Sequence, residues 1–283
     1  MPNLSELISD RFYLDKEEVK KITQTLKIKT SDLMMELLSF AAKKAHPTIS
    51  NYRVGVVGMT KSGSILFGCN LEAYGLPLNN SLHAEQFLTI SALIRREELV
   101  SLTVSAEPCG HCRQFLNEIK GADKLSILVP GLKETKLKDL LPSSFGPSNL
   151  KINISLYDDR HNNLVLKTDN NDKIVQEALR QANIAYAPYS GCPSGIAASL
   201  KNGHVFGGFY IENAAFNPSV TPILSALVNL ISNGYDYNDI KDVVLVERKK
   251  GPVSQENNVK DVISSIAPNA TFKSYEAVWS LMP

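Results

Sequence analysis

The strongest constraint on the fold is that the second half of the chain repeats landmarks of the first half at one constant offset. Four pairs of residues stand in register: Gly55 with Gly195, Gly63 with Gly203, Gly68 with Gly208, and Glu72 with Glu212. Glycine is favoured where a chain turns tightly or where two backbones approach closely, so such positions carry structural information. Both halves also place two β-rich runs before a helical run. The sequence therefore predicts a duplicated fold.

The order of elements in the first half indicates the class of that fold. Ser31 and Asp32 resemble an N-cap for the helical run LMMELLSFAAKKA, which we expect to end before Pro47. Two β-rich runs joined by a Lys-Ser-Gly turn follow, and then a helix (AEQFLTISALI), a strand (LVSLTVSA), a helix (RQFLNEIK) and a strand (KLSILVP). The order β-β-α-β-α-β predicts a mixed sheet with helices on both faces.

The length of 283 residues suits two such domains. We expect an N-terminal helical segment over residues 1–30, a first domain over 31–145, and a second domain over 172–283. Residues 146–171 are rich in Pro, Ser, Gly, Asn and Asp, which is typical of a linker. The predicted fold class is α/β, with two mixed-sheet α/β/α domains in tandem.

Composition excludes several classes of protein. A formal net charge of +1 argues against a nucleic-acid partner, because proteins that bind polynucleotide backbones usually carry a basic excess. No window approaches the roughly 20 apolar residues of a membrane span. The N-terminus lacks the basic and apolar regions of a secretory signal. Four cysteines, two of them spaced C-x-x-C, suit a reducing cytosol and a metal or redox site. We expect a cytoplasmic protein.

The C-x-x-C pair, Cys109 and Cys112, is the strongest chemical signal in the chain. If a helix starts at Pro108, both thiolates lie near its N-terminus, where free N–H groups favour the thiolate form. A catalytic zinc ion takes three protein ligands and keeps one position open. His83 would be the third ligand, with Glu85 beside it, although the spacing does not tell whether both face the same side.

Two other interpretations of a C-x-x-C pair exist. A redox pair would not explain His83-Ala84-Glu85 one strand upstream, and a structural zinc site would need a fourth ligand. We therefore predict one catalytic Zn²⁺ per chain.

The second half does not repeat this chemistry. At the constant offset Ile223 stands opposite His83, and a shift of two residues places Thr221 there instead. No cysteine follows Cys192. The second half is thus predicted to keep the fold without the metal, and to cover an active site or build a dimer.

The motifs place the chain beside a known family. His83-Ala84-Glu85 followed by Pro108-Cys109-Gly110-His111-Cys112 matches the H-x-E…P-C-x-x-C signature of zinc nucleobase and nucleoside deaminases. The whole chain resembles the homodimeric cytidine deaminases of enteric bacteria and plants, which join a helical segment, a catalytic domain and a degenerate second deaminase-like domain. Residues 50–55, 68–72, 145–147 and 212–218 carry further similarity.

This resemblance implies an activity and roles for residues. The reaction would be hydrolysis of cytidine and 2′-deoxycytidine to uridine and 2′-deoxyuridine, in pyrimidine salvage, by a homodimer. Zinc held by His83, Cys109 and Cys112 would provide a hydroxide that attacks C4, with Glu85 as the proton shuttle. The resemblance also implies substrate-binding residues: Tyr52 would stack on the base, Asn70 and Glu72 would hold the ribose hydroxyls, and Leu71 and Ala84 belong to the same set.

One departure from the family pattern leaves alternatives open. Glu107 stands where the family usually has a small residue, next to Ala106. A catalytically weak paralogue that binds a nucleoside or serves as a dimer partner is therefore an alternative function. A polynucleotide deaminase is a third, against which the neutral charge and the lack of a basic, aromatic-rich tract argue.

Overall fold

The computed structural model describes Leu4, Ile8 and residues 11–248 and 250–280, which form two mixed sheets. The first sheet has the order β1-β3-β2-β4-β5-β6 and the second the order β7-β11-β10-β8-β9. The strands of the first sheet are β1 (Tyr13–Leu14), β2 (Gly55–Thr60), β3 (Ile65–Cys69), β4 (Leu99–Val104), β5 (Ser126–Leu128) and β6 (Thr135–Lys136). Those of the second are β7 (Leu164–Leu166), β8 (Ser194–Leu200), β9 (Val205–Phe209), β10 (Ile240–Arg248) and β11 (Thr271–Trp279).

Four strands of the first sheet correspond to four strands of the second, with the same order and the same directions. In the first sheet β2 pairs antiparallel with β3 and β4, and β4 pairs parallel with β5. In the second sheet β8 pairs antiparallel with β9 and β10, and β10 pairs parallel with β11. The predicted duplication and the predicted α/β class are confirmed.

Eight α-helices lie among the described residues and cover these sheets. They are α1 (Lys16–Leu26), α2 (Thr30–Lys43), α3 (Ala84–Ile94), α4 (Gly110–Leu116), α5 (Leu137–Leu140), α6 (Lys173–Ile184), α7 (Pro222–Ser232) and α8 (Glu256–Ile266). No helix in the described part of the chain is long and apolar enough to cross a membrane.

The two domains meet at helices α3 and α7, which contact each other. Nearly every residue of both helices is buried, and most of these residues are apolar. Each helix covers its own sheet with one face and the other domain with the opposite face. Phe87 and Leu88 of α3 and Leu224 and Leu227 of α7 belong to one continuous apolar cluster. The duplicated halves therefore share a core.

The first glycine pair of the repeat is explained by close packing of a helix on a strand. A Cβ atom at Gly55 would lie 2.3 Å from the backbone nitrogen of Ala42 in α2. A Cβ atom at Gly195 would lie 2.1 Å from the backbone nitrogen of Ala182 in α6. Real Cβ atoms do not approach so closely, so only glycine fits at either position.

Several element boundaries differ from the predictions. Helix α2 begins at Thr30 with Lys29 as its N-cap, because the Asp32 carboxylate accepts a hydrogen bond from the Lys29 N–H at 3.2 Å. Helix α4 begins at Gly110 rather than Pro108, with Cys109 as its N-cap. It also ends at Leu116, so the run RQFLNEIK is only partly helical.

The predicted N-terminal helical segment and the predicted linker each contain a short strand. Helix α1 lies within the predicted helical segment, which also holds the short strand β1; residues 1–3, 5–7, 9 and 10 lie outside the described residues. Strand β7 lies within residues 146–171 and pairs with β11. The domain limits stay a prediction.

We predict that Gly195→Ala lowers the free energy of unfolding by about 1–3 kcal/mol, since overpacking against a backbone is not relieved by rotamer changes. Gly110→Ala is the control, because a Cβ atom there meets nothing within 4 Å; it should change stability by no more than about 0.5 kcal/mol. Urea unfolding followed by circular dichroism measures both. Equal stability of the two variants would contradict the close packing.

Candidate active site

The four residues of the H-x-E and C-x-x-C motifs lie at the N-termini of two helices. His83 is the N-cap of α3 and has an extended backbone, with φ −78° and ψ 155°. Glu85 lies in the first turn of the same helix. Cys109 is the N-cap of α4, also extended, and Cys112 lies in its first turn. Because each cap residue stands outside the helix, both members of each pair can face the same point.

The side chains converge at distances that suit zinc. The Nδ1 atom of His83 lies 3.5 Å from the Sγ of Cys109 and 3.2 Å from the Sγ of Cys112. Tetrahedral zinc with bonds of about 2.1 Å to nitrogen and 2.3 Å to sulfur separates such ligand atoms by about 3.6 Å. Within the described chain, His83, Cys109 and Cys112 are the one group of three such side chains close enough to hold a metal ion. This residue set fits a zinc ion.

The electrostatics also favour a cation at this point. Hydrogen bonds from Cys112 and His83 lower the pKa of the Cys109 thiol to about 3, which makes this sulfur a thiolate at neutral pH. The hydrogen bond with Cys109 and burial raise the pKa of Cys112. A divalent cation bound by both sulfurs would lower the pKa of Cys112 again, because metal coordination deprotonates a thiol outright.

Glu85 is a buried carboxyl group beside this cluster. It is 4% exposed, and its Oε2 atom lies 3.2 Å from the Sγ of Cys112. Burial raises the pKa of Glu85. A carboxyl group whose pKa is shifted towards neutrality can both take up and release a proton during a reaction.

A cavity of about 280 Å³ opens above the cluster. Its volume is at the small end of the range for ligand sites. The residues that line it are Ser50, Tyr52, Val54, Asn70, Glu72, Ser81, Leu82, His83, Ala84, Glu85, Ala106, Glu107 and Cys109. The structure thus brings seven of the nine sequence-predicted site residues to one cavity. Tyr52 stands at its mouth with 60% of its surface exposed, so it is not a core aromatic residue.

Glu72 is held by the loop that follows α2. Its carboxylate accepts hydrogen bonds from the N–H groups of Ile49 and Ser50 at 2.8 and 2.9 Å, and from the Ser50 hydroxyl at 2.6 Å. Although desolvation raises the pKa of Glu72, these hydrogen bonds outweigh it and lower the pKa. Glu72 is therefore a fixed, ionised acceptor in the wall of the cavity.

Asn70 and Leu71 shape the cavity from behind. The Asn70 side chain accepts from the Val54 N–H at 2.9 Å and donates to the Tyr52 carbonyl at 3.0 Å. It therefore fixes the segment that carries Tyr52. Leu71 is 3% exposed, and its backbone pairs with that of Leu82, so it lies in the core beneath the cavity floor.

Sequence reasoning missed Ser50, which orients Glu72. A signal was present, because Ser190 stands at the constant offset from Ser50 just as Glu212 stands from Glu72. Glu107 also lines the cavity and is exposed. Among the described residues of the lining, three are glutamates and none is Lys or Arg, so the cavity wall is acidic.

The structure decides which second-domain residues correspond to the motif. Gly68 approaches the carbonyl of Ala84, and its repeat partner Gly208 approaches the carbonyl of Pro222. Ala84 and Pro222 are therefore equivalent, which places Thr221 opposite His83. Thr221 is the N-cap of α7, and Ile223 takes the place of Glu85 in the first turn. The second domain keeps the cap geometry and lacks the ligands.

Comparison with known proteins gives an independent result. The family described as cytidine and deoxycytidylate deaminase zinc-binding region matches this chain twice, over residues 28–129 and 137–260. A cytidine deaminase of Proteus mirabilis is 40% identical over 240 residues, which span 84% of this chain and 81% of that protein. A cytidine deaminase of Cronobacter sakazakii is 39% identical over 256 residues, spanning 89% and 86%.

A solved structure is also similar over part of the chain. The crystal structure of cytidine deaminase from Mycobacterium tuberculosis has 30% sequence identity and a TM-score of 0.37, and the match covers 41% of this chain and 96% of that one. The two family matches and the identity to full-length relatives agree with the zinc-binding geometry described above. This chain belongs to the cytidine deaminase family.

Proposed function

We propose that this chain hydrolyses cytidine and 2′-deoxycytidine to uridine and 2′-deoxyuridine. The observation that carries the proposal is the buried carboxyl group of Glu85 beside the His83, Cys109 and Cys112 cluster at the base of a cavity of about 280 Å³. In the overall reaction, water adds oxygen to C4 of the pyrimidine, the bond from C4 to the amino group breaks, and ammonia leaves.

The metal site combines a zinc ion, which acts as a Lewis acid, with three protein ligands that hold it. When bound by His83, Cys109 and Cys112, zinc supplies a Lewis acid that lowers the pKa of a water molecule towards 7. The two sulfurs balance the charge of the ion, and the neutral imidazole completes the protein ligand set. His83 and Cys109, the N-cap residues of α3 and α4, both line the cavity.

Glu85 transfers the protons of the reaction. In its ionised form it takes a proton from water and delivers it to N3 of the ring. The carboxylate then takes the second proton and delivers it to the departing amino group. Burial raises the pKa of this carboxyl group, which favours uptake of a proton from water. Burial also keeps bulk water away from Glu85, so that the proton returns to the substrate and is not lost to solvent.

The cavity wall favours a free nucleoside over a nucleotide. Glu72 offers a carboxylate to the ribose hydroxyls, and its hydrogen bonds to Ser50 and Ile49 hold it in one orientation. Asn70 positions Tyr52, which stands where a base could stack. Since the described lining contains acidic side chains and no Lys or Arg, a phosphate group would meet unfavourable charge.

We also propose that the enzyme is a cytoplasmic homodimer that serves pyrimidine salvage. Leu78 and Phe216 are 72% and 66% exposed, and both line a second cavity that His83 and His111 also border. Exposed apolar side chains beside an active site support a subunit interface there. All four cysteines are free, which fits a reducing compartment.

Replacing Glu85 by Gln should reduce kcat by about 10²–10⁴-fold, since the amide cannot transfer protons. The loss of absorbance of cytidine, with product chromatography, measures the rate at known zinc content. Glu17→Gln, an exposed change in α1, is the control and should keep full activity. Undiminished turnover by Glu85→Gln would rule out the proposed proton transfer. Zinc bound by wild type without turnover of any pyrimidine nucleoside would instead favour a weak paralogue.

Replacing Cys112 by Ser should abolish stoichiometric zinc binding, because one of the two thiolates is lost. Atomic absorption of the purified protein measures the zinc content. Cys192→Ser changes a buried cysteine of the second domain and is the matched control. One zinc ion per chain in the Cys112 variant would show that another residue completes the site.

Replacing Glu72 by Gln should raise KM for cytidine by about 10–100-fold, the value of one or more hydrogen bonds to a charged group. The zinc content should stay at one per chain, because Glu72 is not a ligand. Steady-state kinetics give KM and kcat separately. A lower kcat with unchanged KM would assign Glu72 to the chemical step rather than to ribose binding.

A further inference from the structure

The loop between β9 and α7, residues 212–219, keeps part of a substrate site in a domain that has no metal ligands. We call it the clamp segment. Its first residue, Glu212, is 3% exposed and accepts hydrogen bonds from the N–H groups of Tyr189 and Ser190 at 2.7 and 3.1 Å and from the Ser190 hydroxyl. Glu72 makes the equivalent three contacts in the first domain. Glu212 and its hydrogen-bond donors are therefore present in the second domain, although that domain lacks the counterparts of His83 and Glu85.

The clamp segment and its neighbours bind Glu118, which lies directly beyond the cysteine helix α4. Glu118 is 1% exposed. Its carboxyl group accepts hydrogen bonds from the N–H of Ala214 at 2.6 Å, the hydroxyl of Tyr186 at 2.8 Å and the hydroxyl of Tyr189 at 2.9 Å. All three donors belong to the second half of the chain. A buried carboxyl group needs such partners, so the interface fixes the position of Glu118.

The clamp segment also contacts α3, the helix whose N-cap is His83. Gln86 of α3 is 2% exposed; its Oε1 accepts from the His83 N–H, and its Nε2 donates to the Pro218 carbonyl, both at 3.1 Å. One side chain thus links the backbone of a zinc ligand to the second domain. On α4, the carbonyl of Gln114 accepts from the Asn213 side chain at 3.0 Å.

We propose that the clamp segment fixes the relative placement of α3 and α4, and that Glu118 and Gln86 are positioning residues for the zinc site. This inference rests on one part of the proposed function, namely that His83, Cys109 and Cys112 bind zinc. The three ligand atoms lie at the starts of two helices that contact each other, so their separation depends on how these two helices are held together. The clamp segment contacts α3 near its start, through Gln86, and α4 near its end, through Gln114 and Glu118.

The effect on zinc should resemble that of other groups that orient metal ligands, whose loss lowers metal affinity by about 10–100-fold. The ribose side of the cavity is held separately, by Ser50 and Ile49 on Glu72. Removing contacts of the clamp segment should therefore weaken zinc retention and lower kcat, while KM for cytidine stays constant.

The experiment measures zinc release from the holoenzyme to the chelator 4-(2-pyridylazo)resorcinol, together with kcat and KM. Tyr189→Phe removes one donor to Glu118 from the second domain, and Glu118→Ala removes the acceptor from the first. Tyr13→Phe is the matched control, since it removes a tyrosine hydroxyl that contacts Ser64 at 3.1 Å within the first domain. All are measured well below the melting temperature of each variant.

We expect both interface variants to release zinc at least about tenfold faster than wild type, and Tyr13→Phe to match wild type. The double variant should release zinc no faster than Glu118→Ala alone, because both changes break the same contact. If Glu118→Ala does not fold, Tyr189→Phe decides the question alone. Wild-type zinc release in Tyr189→Phe, with only a lower melting temperature, would overturn the proposal.

The zinc measurement separates this proposal from the proposed function. If wild type and variants bind zinc but none deaminates cytidine, the proposed function fails, and the difference in zinc release still tests the clamp. If wild type and all variants deaminate cytidine with equal kcat and release zinc equally fast, the proposed role of the clamp segment is wrong and the proposed function is supported.

Discussion

The burial of helices α3 and α7 against each other is the interaction on which the rest of the structure depends. Both helices are mainly apolar and almost completely buried, so exposing one side of either would lose hydrophobic free energy. Each domain alone would leave its helix half covered. Pairing the two helices completes both cores at once and brings the N-terminus of α3 beside the loop that leads into α7.

The zinc site follows from the same arrangement. Its two cap residues, His83 and Cys109, are extended, while Glu85 and Cys112 lie in the first turns of the helices that follow. Helix N-termini present free N–H groups and a partial positive charge, which stabilise thiolates before any metal binds. The low pKa of Cys109 results mainly from its side-chain hydrogen bonds with Cys112 and His83, and the free backbone N–H of Cys112 in the first turn lowers it further. The protein thus offers charged ligands at the ends of two rigid elements.

The second domain shows how a duplicated fold can lose its chemistry and keep a role. Thr221 and Ile223 replace the residues that would bind metal and transfer protons, yet the backbone at the start of α7 still has the cap geometry of α3. Glu212 keeps the contacts that Glu72 makes, although it faces the domain interface. The segment that begins at Glu212 contacts α3 and α4, the two helices beside the zinc-binding residues of the first domain.

Local patterns in the sequence were sufficient to predict most elements of the fold. Helix α3 spans the residues predicted for it, and the hairpin of β2 and β3 has its turn at Lys-Ser-Gly, because apolar periodicity and turn residues act over short distances. The patterns did not indicate α8, β11 or the role of β7, whose pairing partners are distant in sequence. The boundaries of α2 and α4 also differed, since caps at Lys29 and Cys109 depend on local hydrogen bonds.

The sequence by itself predicted zinc with His83, Cys109 and Cys112 as ligands, through the H-x-E…P-C-x-x-C signature, and predicted the duplication, through landmarks at a constant offset. Only the tertiary structure decided that His83 and Glu85 face one point, because His83 stands outside the helix that contains Glu85. It alone also decided between Thr221 and Ile223 as the counterpart of His83, through the close approach of Gly208 to Pro222. The buried contacts of Glu118 join residues about 70 to 100 positions apart. Such contacts arise from packing between domains, which no local pattern in a single sequence encodes.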